Sequence, residues 1–367
     1  MKTDVIVIGA GPAGLATAIA ARNAGFEVLL ADHAVPPIDK ACGEGIMPDG
    51  LAALAKLGVV VPPDQAYAFR GIRFLENNSA VDAVFPLGVG FGVRRTVLHE
   101  LLVSKAAKLG VQMRWGARVG HISQGQVQID DHTITSRWIV GADGHNSIVR
   151  RKIGIGRQQS ERRRFGFRQH FSIRPWTDFV EVYWSDYGQA YVTPVSENEV
   201  CVALITSDPH LRLDVIPHAF PPLAERLGDA VQTTRAQGAI TSTRQIDAVY
   251  SGNVALVGEA SGSVDAITGE GMSLGFQQAL TVVSAMKSGS LAPYERAHRC
   301  IGSTPRQMAK LMALLGDRRW LRHRTLRALS ARPELFAQML SVHVGETPMH
   351  RFGLHRALSL GWSVLTS

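Results

Sequence analysis

The chain has 367 residues, 46% of them hydrophobic and 19% charged, which excludes a disordered protein and suffices for a large core or two closely built domains. Its net charge of +8 is uneven, with 12 Lys/Arg against 3 Asp/Glu from Arg296 onward, so the body is near neutral and no nucleic-acid partner is expected. Cys42, Cys201 and Cys300 lie far apart, without a disulfide framework or metal-ligand spacing, which predicts a reducing cytoplasm and no metal.

The first element is a buried parallel strand over Val5–Ile8. It runs into Gly9-Ala10-Gly11-Pro12-Ala13-Gly14 and then an Ala- and Leu-rich helix, Leu15 to Ala24. A bound pyrophosphate explains this order. Gly9 turns the chain, Gly11 lets a phosphate approach the backbone, and Gly14 lets the helix pack against the strand. The helix N-terminus then aims free N–H groups at the phosphates. A second strand, Val28–Ala31, ends at Asp32, where an acidic residue is needed about 20 residues on to hold a ribose hydroxyl. Lys2 and the apolar residues after it resemble a signal peptide, but Asp4, the glycines and Pro12 interrupt the run. No later run reaches the roughly 20 apolar residues of a membrane helix.

A loop carrying Lys40-Ala41-Cys42-Gly43-Glu44-Gly45 follows. Pro48 opens a helix through Leu51, Leu54 and Leu57, with Gly58 as its stop. Short strands and turns fill 66–93. A second helix is predicted from Thr96 to Leu109, then a strand alternating at Val111, Met113 and Trp115. Val119–Ile122, Gln126–Ile129 and Thr133–Ser136 read as a small antiparallel meander, and Trp138–Ala142 as a separate buried strand ending at Asp143-Gly144. Phe165–Phe171, Val180–Trp184, Ala190–Thr193 and Val200–Ile205 have hairpin spacing and form a second sheet. A helix near Leu223 and a strand over Ile240–Ile246 complete it. Val254–Val257 is again a buried strand, a helix follows Gly271, and the rest is mostly helical.

Three motifs in this order resemble the flavoproteins of the p-hydroxybenzoate hydroxylase fold, which include aromatic hydroxylases, halogenases and geranylgeranyl reductases. The resemblance covers roughly residues 1–290. The first motif is the glycine turn with Asp32. The second is Gly141-Ala142-Asp143-Gly144-His145-Asn146-Ser147-Ile148-Val149-Arg150. The third is Gly258-Glu259-Ala260-Ser261 with Thr268-Gly269-Glu270-Gly271-Met272. It implies an α/β fold: a Rossmann-like FAD-binding domain of the glutathione reductase type, interrupted by an antiparallel-sheet substrate domain, with a C-terminal helical region. The FAD-binding domain takes 1–65, 94–158 and 248–295. The substrate sheet takes 66–93 and 159–247, and 296–367 is the basic helical region.

The resemblance also implies the cofactor, FAD, with NAD(P)H as electron donor. FAD contacts are expected from Gly9, Gly11, Pro12, Ala13, Gly14, Asp32, Lys40, Gly43, Arg94, Asp143, Gly144, Gly258, Glu259, Gly269, Gly271 and Met272. Arg95 competes with Arg94 for the arginine position. Family members usually carry Glu at the position of Asp32 and Asp at that of Glu259. Cys42, His170, Trp184 and Tyr191 are the substrate-pocket candidates, and no catalytic acid or base is assigned. The function implied is an FAD-dependent oxidoreductase. The leading expectation is a monooxygenase that hydroxylates a hydrophobic aromatic or polyketide-like metabolite through a flavin C4a-hydroperoxide. The alternatives are a C=C reductase of the geranylgeranyl reductase type and a non-catalytic FAD-binding protein. Arg318, Arg319, Arg322, Arg324 and Arg327, interleaved with Trp320, Leu321 and Leu326, offer a peripheral contact to an anionic membrane or an acidic carrier protein.

Overall fold

A computed structural model describes residues 2–77, 79–123, 125–155, 158–160 and 163–347. Lys2–Ile8 lies inside a sheet with His132–Gly141 on one side and Val28–Ala31 on the other, parallel to both. Gln112–Arg114 extends the sheet beyond Val28–Ala31, and Val254–Leu256 extends it beyond His132–Gly141. Alternation along the central strand explains why its run is apolar throughout. Val5 and Val7 pack under the helices Pro12–Asn23, Arg95–Lys108 and Gly271–Lys287, while Ile6 and Ile8 pack on the opposite face with Ile122, Val127 and Ile134.

The meander departs from expectation in one respect. Its third strand and the buried strand after it are a single strand, His132–Gly141. The first part, His132–Thr135, pairs antiparallel with Gln126–Ile129, and from Thr135 onward the strand runs parallel to Lys2–Ile8. An exposed-buried alternation that passes into continuous burial looks like two elements in sequence, because the environment changes while the backbone does not.

The second sheet has the order Val231–Gln232, Arg164–Ser172, Glu199–Thr206, Gly188–Ser196, Phe179–Ser185, Gly71–Glu76, Ser79–Val84. Gly71–Glu76 joins Phe179–Ser185 in parallel, so the early insertion supplies the far edge of a sheet otherwise built about 100 residues later. The expected strand over Ile240–Ile246 is split into Gln237–Thr241, paired to Arg164–Ser172, and Arg244–Ile246. The insertion also forms a three-stranded sheet in which Gly45–Ile46 and Tyr67–Phe69 flank Gly90–Gly92.

The C-terminal region is helical, as its composition suggests: Ala292–Ile301, Ser303–Asp317, Arg319–Ala331 and Pro333–His343. The last three pack on the second sheet, where Met312, Leu326, Leu329 and Phe336 meet Phe74, Val180, Val182 and Trp184. Arg322, 2% exposed, locks this layer by reaching Glu76 at 2.5 Å and Asp186 at 2.7 Å. Residues 348–367, the end of the expected basic region, lie outside the described residues.

Candidate cofactor and substrate site

A cavity of about 1850 Å³ lies where the parallel sheet, the second sheet and the C-terminal helices meet. Small-molecule pockets commonly span roughly 300–1,000 Å³, so this one has room for a dinucleotide and a substrate together. Its two ends differ. One is lined by glycines and charged side chains, the other by apolar residues of the second sheet and C-terminal helices, among them Phe74, Trp184, Leu315 and Phe336.

The polar end is built by the three glycine motifs. Gly9 has φ +104°, and a Cβ there would stand against the Ala142 carbonyl; a Cβ on Gly14 would overlap the Gly9 carbonyl. Gly14 therefore holds helix to strand from below and does not line the cavity. At Gly11, which does line it, a Cβ would meet nothing within 4 Å. That open approach is what a phosphate needs. Pro12 and Ala13 begin the first helix at the cavity wall, and Gly271 and Met272 begin the helix packed beside it. Two helix N-termini thus direct partial positive charge to one place. Asp32 also lines the cavity. Its carboxylate accepts from Ala10 N at 2.6 Å and Ala34 N at 2.8 Å, which fixes its orientation at the wall.

The second motif is held by its own side chains. Asp143 accepts from Ser147 Oγ, Ile148 N and Val149 N, so this carboxylate caps the helix Ile148–Lys152. Gly144 continues the wall. Arg150 donates to the Ala260 carbonyl at 2.8 Å and the His145 carbonyl at 3.0 Å, tying the second motif to the third. Gly258, Glu259 and Gly269 line the cavity from the third motif, and Lys40 and Gly43 line it from the loop opposite. Partial desolvation works against ionisation of Glu259, but Lys40, His145 and Arg95 together hold the carboxyl below its usual range.

Of the two arginines, the fold brings Arg95 to the cavity wall and not Arg94. Arg94 reaches Glu199 at 2.6 Å and is absent from the wall, because the first turn of the helix rotates it toward the second sheet. Arg95 lines the cavity, and its buried Nε has no partner among the described residues. An orphaned guanidinium donor beside a glycine cradle fits an anionic cofactor.

Of the substrate candidates, Cys42, Trp184 and Tyr191 line the cavity. Burial pushes the Cys42 thiol up, so it is a thiol at neutral pH. Tyr191 spends its hydroxyl on the Ile267 carbonyl at 2.8 Å. Trp184 Nε1 is buried without a partner among the described residues. His170 stands behind the wall. It is 0% exposed, with Nε2 2.6 Å from Glu44 Oε2 and Nδ1 3.0 Å from Thr234 Oγ1. Strand alternation puts it on the face with Arg168, which does line the cavity, while Glu44 of the loop 39–44 covers the His170 ring.

Among the wall residues that sequence reasoning did not single out are Glu44 and His343. Glu44, 1% exposed and at φ +59°, accepts from Arg95 N at 2.9 Å and faces His170. His343 reaches the wall from the last C-terminal helix. Glu44, His170 and Cys201 bring potential ligand atoms within 4.8 Å of one another. The Glu44 oxygens are already engaged by Arg95 N and His170, and Arg168 lies beside them. This cluster fits a hydrogen-bond network better than a cation site.

Fold and site together define a flavin-dinucleotide oxidoreductase: a nucleotide-binding sheet, a paired helix cradle, and an apolar chamber walled by a second sheet. The sequence profile of the FAD binding domain family matches residues 2–288, and the chain belongs to that family, within the p-hydroxybenzoate hydroxylase type of FAD-dependent oxidoreductases. Among curated proteins it is 28% identical over 351 residues to a menaquinone reductase of Mycolicibacterium smegmatis, covering 85% of each chain. It is 26% identical to digeranylgeranylglycerophospholipid reductase 2 of Methanopyrus kandleri, covering 74% of each. It is 25% identical to a 12-dehydrotetracycline 5-monooxygenase/anhydrotetracycline 6-monooxygenase of Streptomyces rimosus, covering 98% of this chain and 77% of that one. Among solved structures, a flavoprotein/dehydrogenase of Cytophaga hutchinsonii superposes with a TM-score of 0.84 at 19% identity, over 96% of this chain and 94% of that one. Among the described residues, no helix is long and apolar enough to cross a membrane.

Proposed function

We propose that this protein is a cytoplasmic FAD-dependent reductase of C=C bonds in an extended apolar substrate such as the prenyl chain of a quinone or lipid, with NAD(P)H as electron donor. The observation that carries this reading is the apolar chamber continuing from the cofactor cradle. Phe74, Val180, Val182 and Trp184 of the second sheet and Leu315, Leu329, Phe336 and Leu340 of the C-terminal helices, packed together as one apolar cluster, line it. Such walls bind an aliphatic chain by burial, at about 25 cal/mol per Å² of apolar surface removed from water. The menaquinone and digeranylgeranylglycerophospholipid reductases among its relatives support the same direction.

The residues on the wall have definable tasks. Gly11 and the two helix N-termini hold the pyrophosphate, Asp32 the ribose, and Arg95 a phosphate or ribityl oxygen. Lys40 and Glu259 bridge the loop to the third motif over the cofactor. FAD, when bound, supplies the hydride chemistry. The chamber residues exclude water and set the substrate beside it. The unpartnered Trp184 N–H offers one hydrogen bond to a polar substrate end.

The monooxygenase reading keeps one support, the relative that acts on tetracycline precursors and matches 98% of this chain. The two readings separate in one experiment. Reduced enzyme is mixed anaerobically with a short-chain prenylated naphthoquinone, and in parallel with oxygen plus an aromatic substrate. A product heavier by two hydrogens, formed without oxygen, supports the reductase. A product carrying one oxygen atom from O₂ overturns it.

Access to a lipid-borne substrate would use the basic C-terminal helices. Trp320 is 56% exposed beside Arg318 and Arg319, an aromatic and cationic combination suited to an anionic headgroup layer. Co-sedimentation with anionic but not neutral liposomes would support peripheral docking. Equal binding to both would count against it.

A further inference from the structure

One histidine of the C-terminal helices reaches the cavity wall, with a buried acid beside it. His343, the last residue of helix Pro333–His343, lines the chamber with its side chain 11% exposed. Its Nε2 lies 3.2 Å from the Thr268 carbonyl. A carbonyl only accepts, so Nε2 carries the proton and Nδ1 presents a lone pair. Glu270 Oε2 lies 3.6 Å from that lone pair, and neither atom has another partner among the described residues. Glu270 is 4% exposed, in the turn between Gly269 and Gly271 that opens the cofactor-side helix. A carboxylate aimed at a lone pair in a dry site is repelled; a carboxylic acid donates to it.

We propose that Glu270 and His343 are the proton-handling pair of the chamber, with Glu270 holding a proton as a neutral acid and His343 passing it to the substrate. The electrostatics agree. Burial, reinforced by the charge of Asp49, raises Glu270 well above the usual carboxylate range. Burial also lowers His343 to about 4, so both groups are neutral at pH 7. The titratable neighbours are few. Asp49, on helix Pro48–Lys56, is held by Gln277 and Ser273 and is itself pushed up to about 6 by burial. Tyr191, on strand Gly188–Ser196, is engaged with Ile267. Asp49 is half-buried, so a second acid whose charge Glu270 feels has access to solvent.

This role rests on the reductase reading. Saturating a C=C bond requires one hydride, supplied by a reduced flavin, and one proton. One carbon takes the hydride to form the first new C–H bond. The π electron pair then takes the proton from His343 Nε2, breaking its hydrogen bond to the Thr268 carbonyl, to form the second. Nδ1 takes the proton of Glu270, which becomes a carboxylate and is reprotonated from solvent past Asp49.

The test uses FAD-loaded wild type, Glu270→Gln and His343→Gln. Infrared titration between pH 5 and 9 is expected to show a neutral carboxylic acid band in wild type that Glu270→Gln abolishes. Nitrogen-15 histidine NMR is expected to place His343 as the neutral Nε2–H tautomer. Single-turnover reoxidation by the prenylated naphthoquinone should slow about 10²-fold in either variant, with FAD binding unchanged. An ionised Glu270 at pH 7, a protonated His343, or unchanged reoxidation in both variants would overturn the pair. If wild type does not reduce the quinone side chain at all, the reductase reading fails, and the infrared and NMR results still decide whether the neutral pair exists. Should Glu270→Gln fail to fold, His343→Gln carries the kinetic and NMR arms.

Discussion

Lys40 Nζ lies 2.6 Å from Glu259 Oε2, closing a bridge between a loop near the start of the chain and the third glycine motif 219 positions later. Both side chains are nearly half exposed, so the bridge contributes little to global stability. Both partners line the cavity, which gives the bridge another use. Lys40→Ala is expected to leave Tm within about 1–2 °C of wild type and to speed FAD dissociation several-fold, measured by flavin fluorescence on dilution. The sign with pH follows from Glu259. Its folded-state carboxyl is held below the unfolded value, so the bridge is present at neutral pH and is lost as pH falls through that depressed value. FAD loss that grew toward alkaline pH between 6 and 8 would contradict this.

Gly11 and Gly14 separate binding from folding. A Cβ at Gly11 meets open space, so Gly11→Ala should keep the wild-type melting curve without cofactor and lose most FAD affinity. Gly14→Ala would force the new methyl into the Gly9 carbonyl. It should destabilise the protein by at least about 1–3 kcal/mol, seen as a lower urea midpoint even without FAD. Equal effects of the two substitutions on cofactor-free stability would argue against this division.

Arg94 and Arg95 differ in the same way. Removing the Arg95 guanidinium deletes a charge-assisted contact, worth about 1.5–3 kcal/mol, so Arg95→Ala should weaken FAD binding roughly ten- to a hundred-fold. Arg94→Ala instead strands Glu199, whose carboxyl is held down against burial by Thr233 and Arg94. It should lower stability and leave FAD affinity near wild type. Titration calorimetry on the two variants checks both halves.

Arg322→Ala would leave Glu76 buried without its cation. Breaking a buried pair by removing one partner costs about 3–5 kcal/mol. The loss should appear as a lower urea midpoint and as protease sensitivity within 303–343. Arg322→Met, which keeps the volume, should expose fewer cleavage sites than Arg322→Ala.

The cofactor cradle was legible because its chemistry is backbone chemistry. Glycines at this spacing after a strand are what a phosphate's approach to the main chain requires, and Asp32 sits where the second strand must end. The chamber was less legible. His343 reaches the cavity only because the C-terminal helices fold back on a sheet begun more than 160 residues earlier, a contact that local periodicity does not encode. Arg94 and Arg95 are sequence neighbours, and only the rotation of one helical turn separates cavity from sheet. His170 looked like a substrate contact because alternation identifies a face, not what covers it. Glu44 of the loop 39–44 covers the His170 ring, while Arg168 on the same face stays at the wall.

The cavity takes wall from Gly9 near one end of the described chain and from His343 near the other. A chain emerging from the ribosome can therefore build the first strand, glycine turn and helix early, yet has no complete seat for FAD until Met272 has emerged. It has no enclosed chamber until the helix ending at His343 has docked. Cofactor capture is in this sense a late event in the life of each molecule, and a chain cut short after residue 300 would present its flavin to water.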